Sequence, residues 1–206
     1  MTLPTRGLYA ITQPDNKTTG ALLNEVAAAI RGGAVIVQYR DKNPIDAVGT
    51  AAKLLELCRQ HTVPLIINDN IELAASIGAD GVHLGQTDGS IALAKKRLSK
   101  DAIIGVSCYN SLELAITADT EGANYVAFGR FFPSTSKPLA APAQLQTLHQ
   151  AKAKLNVPIV AIGGILPENG QSLLEAGADL LAVIGGLFDH EPEESARAYQ
   201  HLFCHR

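Results

Sequence analysis

The chain has little with which to build a covalent framework. Its three cysteines, Cys58, Cys108 and Cys204, are odd in number and widely spaced, which fits reduced thiols better than disulfides or a zinc site. It also lacks a basic stripe: 17 Lys and Arg against 20 Asp and Glu give a net charge of -3. That balance argues against a nucleic-acid or membrane-surface binder and leaves room only for small, local phosphate ligands. No apolar run approaches the ~20 residues of a membrane span. Met1 to Gly7 carries no apolar leader segment, and a cytoplasmic location is expected. No Ser/Gly/Pro-rich linker divides the 206 residues, whose 47% apolar content is enough for one large core, so residues 1–206 read as one domain. Absent too are a Gly-x-Ser-x-Gly elbow, a Ser-His-Asp order and metal-ligand spacing among the histidines, which disfavours nucleophilic hydrolysis.

What is present is a rhythm. Short apolar runs are predicted as strands at Leu8–Ile11, Val35–Tyr39, Leu65–Ile67, Gly81–Leu84, Ile103–Val106, Tyr125–Phe128, Ile159–Ile162 and Leu180–Ile184. Between them lie amphipathic patterns such as Leu22, Leu23, Val26, Ala27 and Ile30, whose spacing makes one apolar helical stripe. Others run through Ala47–Leu57, Leu112–Ala118 and Leu145–Leu155. A weak repeat marks the joints: Gly33-Ala34, Gly78-Ala79, Gly122-Ala123 and Gly177-Ala178 each close a helix and open a strand, the glycine serving as a left-handed cap. Buried parallel strands alternating with helices close most naturally into a (β/α)₈ barrel, whose chemistry gathers at the C-terminal strand ends. A doubly wound open sheet is the alternative, but no Gly-x-Gly-x-x-Gly follows the first strand.

The strand exits carry the polar residues. Asp69 and Asp88 follow the third and fourth strands, so on a barrel rim they could share one hard cation such as Mg²⁺, which favours one or two carboxylates plus phosphate oxygens and water. An Asp after a strand also serves as a helix N-cap, and that reading stays open for Asp88. Arg40, Lys42 and Lys137 form a basic set able to bind several oxygens of a diphosphate, with Gln38 and Arg40 on the same side of the second strand. Ser134, Thr135 and Ser136 offer hydroxyl and N–H donors, and Gly163-Gly164 and Gly185-Gly186 let backbone N–H groups approach an anion. His83, between Val82 and Leu84, reads as a hydrogen-bonded interior residue rather than a general base.

Several segments together resemble the thiamine phosphate synthase family. They are Gln38-Tyr39-Arg40-Asp41-Lys42, Ile67-Asn68-Asp69, Gly78 to Gln86 with Asp88, Gly105-Val106-Ser107, Gly129 to Lys137, and Ala161 to Ile165. The resemblance implies a (β/α)₈ transferase that joins 4-amino-2-methyl-5-hydroxymethylpyrimidine diphosphate to a thiazole phosphate, giving thiamine phosphate and diphosphate. By position it implies that Gln38, Arg40, Lys42, Asn68, Ser107 and Lys137 bind the pyrimidine diphosphate, with Arg40, Lys42, Ser107 and Lys137 as the catalytic set. It implies Mg²⁺ on Asp69 and Asp88, and the thiazole phosphate on Ser134, Ser136, Gly164, Ile184 and Gly185. Partners would be these small phosphorylated substrates, with a homo-oligomer left open. The chain departs from the family pattern with serines at 134 and 136 in place of threonines. Tyr39 adds a hydroxyl expected near the mouth, and Gly185 stands where serine is usual. Two rival readings are a thiazole tautomerase, which would not require Arg40, Asp69, Asp88 and Lys137 together, and a non-catalytic sensor of phosphorylated ligands.

Overall fold

Inward and outward side chains alternate along every strand, and the two sets build two separate cores. The computed structural model describes residues 1–13, 17–133 and 141–204. Its parallel strands are β1 (Gly7–Ile11), β2 (Ala34–Tyr39), β3 (Leu65–Asn68), β4 (Gly81–Leu84), β5 (Ile103–Tyr109), β6 (Tyr125–Gly129), β7 (Ile159–Ile162) and β8 (Leu180–Val183). Each pairs with the next and β8 pairs with β1, closing the barrel. Tyr9, Ile11, Ile36, Ile66, Ile103, Tyr125, Val160 and Leu180 fill the interior, while Leu8, Ala10, Val37, Leu65, Ile67 and Phe128 pack outward against the helices. This is the (β/α)₈ fold expected from the sequence.

The covering helices are α1 (Thr19–Arg31), α2 (Ala47–Gln60), α3 (Ile71–Ile77), α4 (Ile91–Arg97), α5 (Leu112–Glu121), α6 (Leu145–Lys154), α7 (Pro167–Glu175), α8 (Gly185–Phe188) and α9 (Pro192–His201). The first five are capped by their own preceding residue. Thr18, Asp46, Asn70, Ser90 and Ser111 each accept a hydrogen bond from a first-turn N–H, at 2.8–3.2 Å, which satisfies donors that a helix start otherwise leaves open. Tyr39 lies in the outer core, 4% exposed, with its hydroxyl donating to Asp41 at 3.4 Å, so it does not add a hydroxyl to the mouth.

The Gly-Ala repeat does more than cap helices. Gly78 and Gly122 are left-handed caps as expected, with φ of 64° and 86°. Gly33 and Gly177 differ: α1 and α7 are capped by Gly32 and Ala176 in right-handed geometry, and the repeat glycine, φ 114°, falls one residue later. In three of the four joints the next residue is Asp80, Asn124 or Asp179. Each side chain accepts from the first or second N–H of the preceding strand, at Leu65, Ile104 and Ile159 (3.0, 2.8 and 2.9 Å). Each backbone N–H returns a bond to the same residue's carbonyl, at 3.2, 2.7 and 2.8 Å. The joints therefore stitch β3 to β4, β5 to β6 and β7 to β8 at the N-terminal rim. The opposite rim is left for chemistry.

Candidate active site

At the C-terminal rim the strand ends surround a cavity of about 500 Å³, within the size range of small-ligand sites. Gln38 lines it from β2 with Arg40 and Lys42 just after, Asn68 from β3 with Asp69 just after, Asp88 after β4, Ser107 from β5, Gly164 after β7, and Ile184 and Gly185 after β8. Every sequence-predicted site residue among those described is thus brought to one cavity. Ser134, Thr135, Ser136 and Lys137 lie outside the described residues.

The cations are presented rather than neutralised. Thr12, fully buried, accepts from the Arg40 N–H at 2.9 Å and donates to the Arg40 carbonyl at 3.2 Å, which clamps the backbone where β2 ends. Among the described residues no carboxylate lies within ion-pair distance of Arg40 or Lys42. A multiply charged ligand would meet both without first breaking a salt bridge.

The two aspartates cap no helix. Asn70 and Ser90 cap α3 and α4, which closes the alternative left open for Asp88. Asp88 instead bends back, its Oδ2 accepting from the Gly85 N–H at 2.9 Å. Asp69 takes a left-handed conformation, φ 63°, with its N–H donating to the His83 carbonyl at 2.8 Å. Such a conformation is sparsely populated by residues other than glycine and persists where surrounding structure enforces it. Tyr109, φ 55°, is a second such residue on the cavity wall. Two carboxylates at adjoining strand exits suit a hard divalent cation. Among the described residues no third His, Cys, Asp or Glu joins them in a cluster, so the remaining ligands would be substrate oxygens and water.

The glycines serve two purposes. Residues 130–132 lie directly along Gly163-Gly164: Phe131 and Phe132 donate to the carbonyls of Ile162 and Gly163 at 3.2 and 3.0 Å. A Cβ on Gly163 would strike Arg130, and one on Gly164 would strike the Pro133 carbonyl. The pair thus admits the chain that leads to residue 134, beside offering N–H groups. Among the described residues no acceptor is found for the N–H groups of Gly164 and Gly185. Gly185 has its own spatial reason. A Cβ there would lie 2.5 Å from Oδ2 of Asp189, whose other oxygen accepts from Gln13 at 3.3 Å. A side chain at 185 would have to share this space with the Asp189 carboxylate.

The floor of the cavity is a hydrogen-bonded set that joins Gln38 and Ser107, both expected at the site, and the interior His83 to two tyrosines, Tyr9 and Tyr125, that the sequence did not single out. Gln38 Nε2 donates to the Tyr9 hydroxyl at 2.9 Å, and that hydroxyl meets the Tyr125 hydroxyl at 2.8 Å. The Tyr125 hydroxyl meets His83 Nδ1 at 2.9 Å, and His83 Nε2 meets Ser107 Oγ at 2.9 Å. Burial pushes both phenols well above their ordinary pKa, so neither ionises near neutrality. Gly105 makes the room, since a Cβ there would fall on the Tyr125 ring. Arg130, Tyr109 and Asp189 also line the cavity and were not singled out from the sequence. The available signal was register: Tyr9 and Tyr125 occupy inward positions where a purely structural interior would carry Val, Ile or Leu.

A (β/α)₈ barrel whose C-terminal rim carries cations, carboxylates and glycine N–H groups has the equipment of a phosphate-handling barrel enzyme. Comparison with known proteins narrows the class. The chain belongs to the family described as thiamine monophosphate synthase, whose sequence profile matches residues 8–187. It is 52% identical over 187 residues to a thiamine-phosphate synthase of Methylococcus capsulatus, covering 90% of this chain and 83% of that one. It is 52% identical over 201 residues to a thiamine-phosphate synthase of Nitrosococcus oceani, covering 96% and 93%. Among solved structures, thiamine phosphate pyrophosphorylase from Pyrococcus furiosus superposes with a TM-score of 0.86 at 31% identity, covering 96% and 95% of the two chains. No helix among the described residues is long and apolar enough to cross a membrane.

Proposed function

We propose that this chain is a transferase that condenses 4-amino-2-methyl-5-hydroxymethylpyrimidine diphosphate with 4-methyl-5-(2-hydroxyethyl)thiazole phosphate, or its carboxylated precursor, giving thiamine phosphate and diphosphate. The observation that carries this reading is the arrival, from five strand exits, of the cations Arg40 and Lys42, two carboxylates and glycine N–H groups at one cavity, in a chain about half identical to named synthases over most of its length.

The chemistry asked of the residues is modest. An electron-rich aminopyrimidine stabilises positive charge at the methylene that loses diphosphate, so neither a covalent nucleophile nor a strong base is required. Arg40, Lys42 and Lys137 would gather the diphosphate oxygens and stabilise the charge that grows as the C–O bond breaks. Gln38, Asn68 and Ser107 would hold the pyrimidine, and Ser134, Thr135, Ser136, Gly164, Ile184 and Gly185 the thiazole phosphate, keeping its ring nitrogen in line with the methylene. Asp69 and Asp88 would hold Mg²⁺, which when bound supplies further charge neutralisation to the diphosphate. Mixing the purified chain with both substrates and Mg²⁺ and assaying diphosphate and thiamine phosphate tests the proposal. Isomerisation of a thiazole carboxylate phosphate without diphosphate release would replace it with the tautomerase reading. Ligand binding without turnover would replace it with the sensor reading.

A further inference from the structure

We propose that Tyr9, Tyr125 and His83 form a one-way hydrogen-bond relay that fixes Ser107 as a donor and Gln38 Oε1 as an acceptor toward the cavity, and thereby select an aminated nitrogen heterocycle. The inference rests on the function proposed above for the identity of the ligand, and on geometry alone for the relay.

The direction follows from counting protons. The Gln38 amide is oriented with Nε2 toward Tyr9, and an amide nitrogen only donates, so the Tyr9 oxygen accepts from it; the opposite amide orientation would reverse every bond of the relay and put the His83 proton on Nδ1. The Tyr9 side chain is buried, and its other hydrogen-bond partner among the described residues is the Tyr125 hydroxyl, so the single Tyr9 proton goes there. Were Tyr125 to donate to Tyr9 instead, the Tyr9 proton would be a buried donor without an acceptor, which native interiors avoid. Having accepted from Tyr9, Tyr125 gives its own proton to His83 Nδ1. A bare Nδ1 places the neutral ring's proton on Nε2, which then donates to Ser107 Oγ. Ser107 turns its remaining proton to the cavity it lines. At the other end, the Gln38 amide, held by its Nε2, leaves Oε1 as the acceptor at the cavity wall. A ring nitrogen suits the Ser107 donor and an exocyclic amine suits the Gln38 acceptor. A ring with a carbonyl in place of the amine would set two acceptors face to face, and a site built for hydrogen bonding rejects such a mismatch strongly.

Tyr9, Tyr125 and His83 are positioning residues here, and their test reads the relay as well as the reaction. The ring nitrogens of His83, assigned by comparison with His83→Gln, are observed by ¹⁵N NMR in the substrate-free wild type. The relay requires one tautomer, protonated at Nε2. Tyr125→Phe removes the donor to Nδ1 and should yield a tautomer mixture. It should also raise KM for the pyrimidine diphosphate about tenfold, with a much smaller change in kcat. Tyr9→Phe leaves the Tyr125-to-His83 bond, so the tautomer should persist while KM rises, because Gln38 has lost its anchor. Protonation at Nδ1 in the wild type overturns the relay, as does a Tyr125→Phe protein with unaltered tautomer and KM. If Tyr125→Phe fails to fold, the wild-type tautomer and the Tyr9→Phe kinetics decide. If the wild type releases no diphosphate, the functional reading fails, and the tautomer alone judges the relay.

Discussion

Gly78 and Gly164 share one backbone conformation, φ +64° in each, and differ in what surrounds them. A Cβ built on Gly78 meets nothing within 4 Å, whereas one on Gly164 falls on the Pro133 carbonyl and comes within 2.9 Å of Phe132. Gly78→Ala therefore carries the left-handed penalty alone, about 1–2 kcal/mol. Gly164→Ala adds overpacking of about 1–3 kcal/mol, for a total of ~2–5 kcal/mol. Residues 130–133 cannot retreat without loss, because Phe132 N–H to Gly163 O (3.0 Å) and Ala143 N–H to Arg130 O (2.7 Å) hold them. The strain should pass into the chain entering residue 134, where the thiazole phosphate contacts are proposed. Urea unfolding of both variants gives the stability difference, and steady-state diphosphate release gives KM for the thiazole phosphate. That KM should rise in Gly164→Ala and stay at the wild-type value in Gly78→Ala, which sits at the opposite rim. Equal destabilisation of the two variants would refute the crowding argument, and an equal rise in KM would refute the placement of the phosphate.

Asp69→Asn keeps shape and tolerates the left-handed backbone, so it should leave unfolding unchanged while lowering Mg²⁺-dependent turnover by about 10²-fold, read by a diphosphate assay across Mg²⁺ concentrations. Lys137→Ala should likewise reduce diphosphate release without moving the urea midpoint; unchanged turnover would remove Lys137 from the catalytic set. Asp80→Ala removes the acceptor for the Leu65 N–H and should cost about 1–3 kcal/mol in stability, whereas Asp80→Asn, which retains an acceptor, should cost less. Burial holds the Cys58 and Cys108 thiols at about 12, above the value of about 8.5 for an unfolded thiol. Their contribution is therefore complete below pH ~8.5 and is lost as pH rises toward 12, at about 1.4 kcal/mol per pH unit for each thiol. Urea unfolding at pH 7, 9 and 10 measures that slope, and a flat profile would contradict the burial argument.

The fold was legible because its signals are local and repeated. Short continuous runs of Val, Ile and Leu, buried on both faces, made the strands visible to within a residue or two, except β5, which runs past Val106 to Tyr109 through a register shift. Polar Ser107 and Cys108 broke the apolar run without breaking the backbone pairing. Much of the candidate site was legible for a different reason: charged and amide residues at strand exits, such as Arg40 and Asp69, have no structural purpose that the local sequence supplies. The interior relay was illegible because its bonded members lie 24 to 116 positions apart in the chain and meet only when the barrel closes. Tyr9 and Tyr125 read locally as apolar strand residues, and nothing in their neighbourhoods says that their hydroxyls face each other across the axis. Gly185 shows the converse. Its lack of a side chain looked like a lost donor, yet the carboxylate of Asp189, four residues on, occupies the neighbouring space. Asp189 sets a negative charge beside the proposed thiazole phosphate site, an effect distinct from the hydroxyl that a serine at 185 would add. Restoring serine alone would crowd Asp189, so a gain in thiazole affinity should require Gly185→Ser together with Asp189→Ala. The single and double variants, compared by KM for the thiazole phosphate, would separate the effect of the hydroxyl from that of the Asp189 charge.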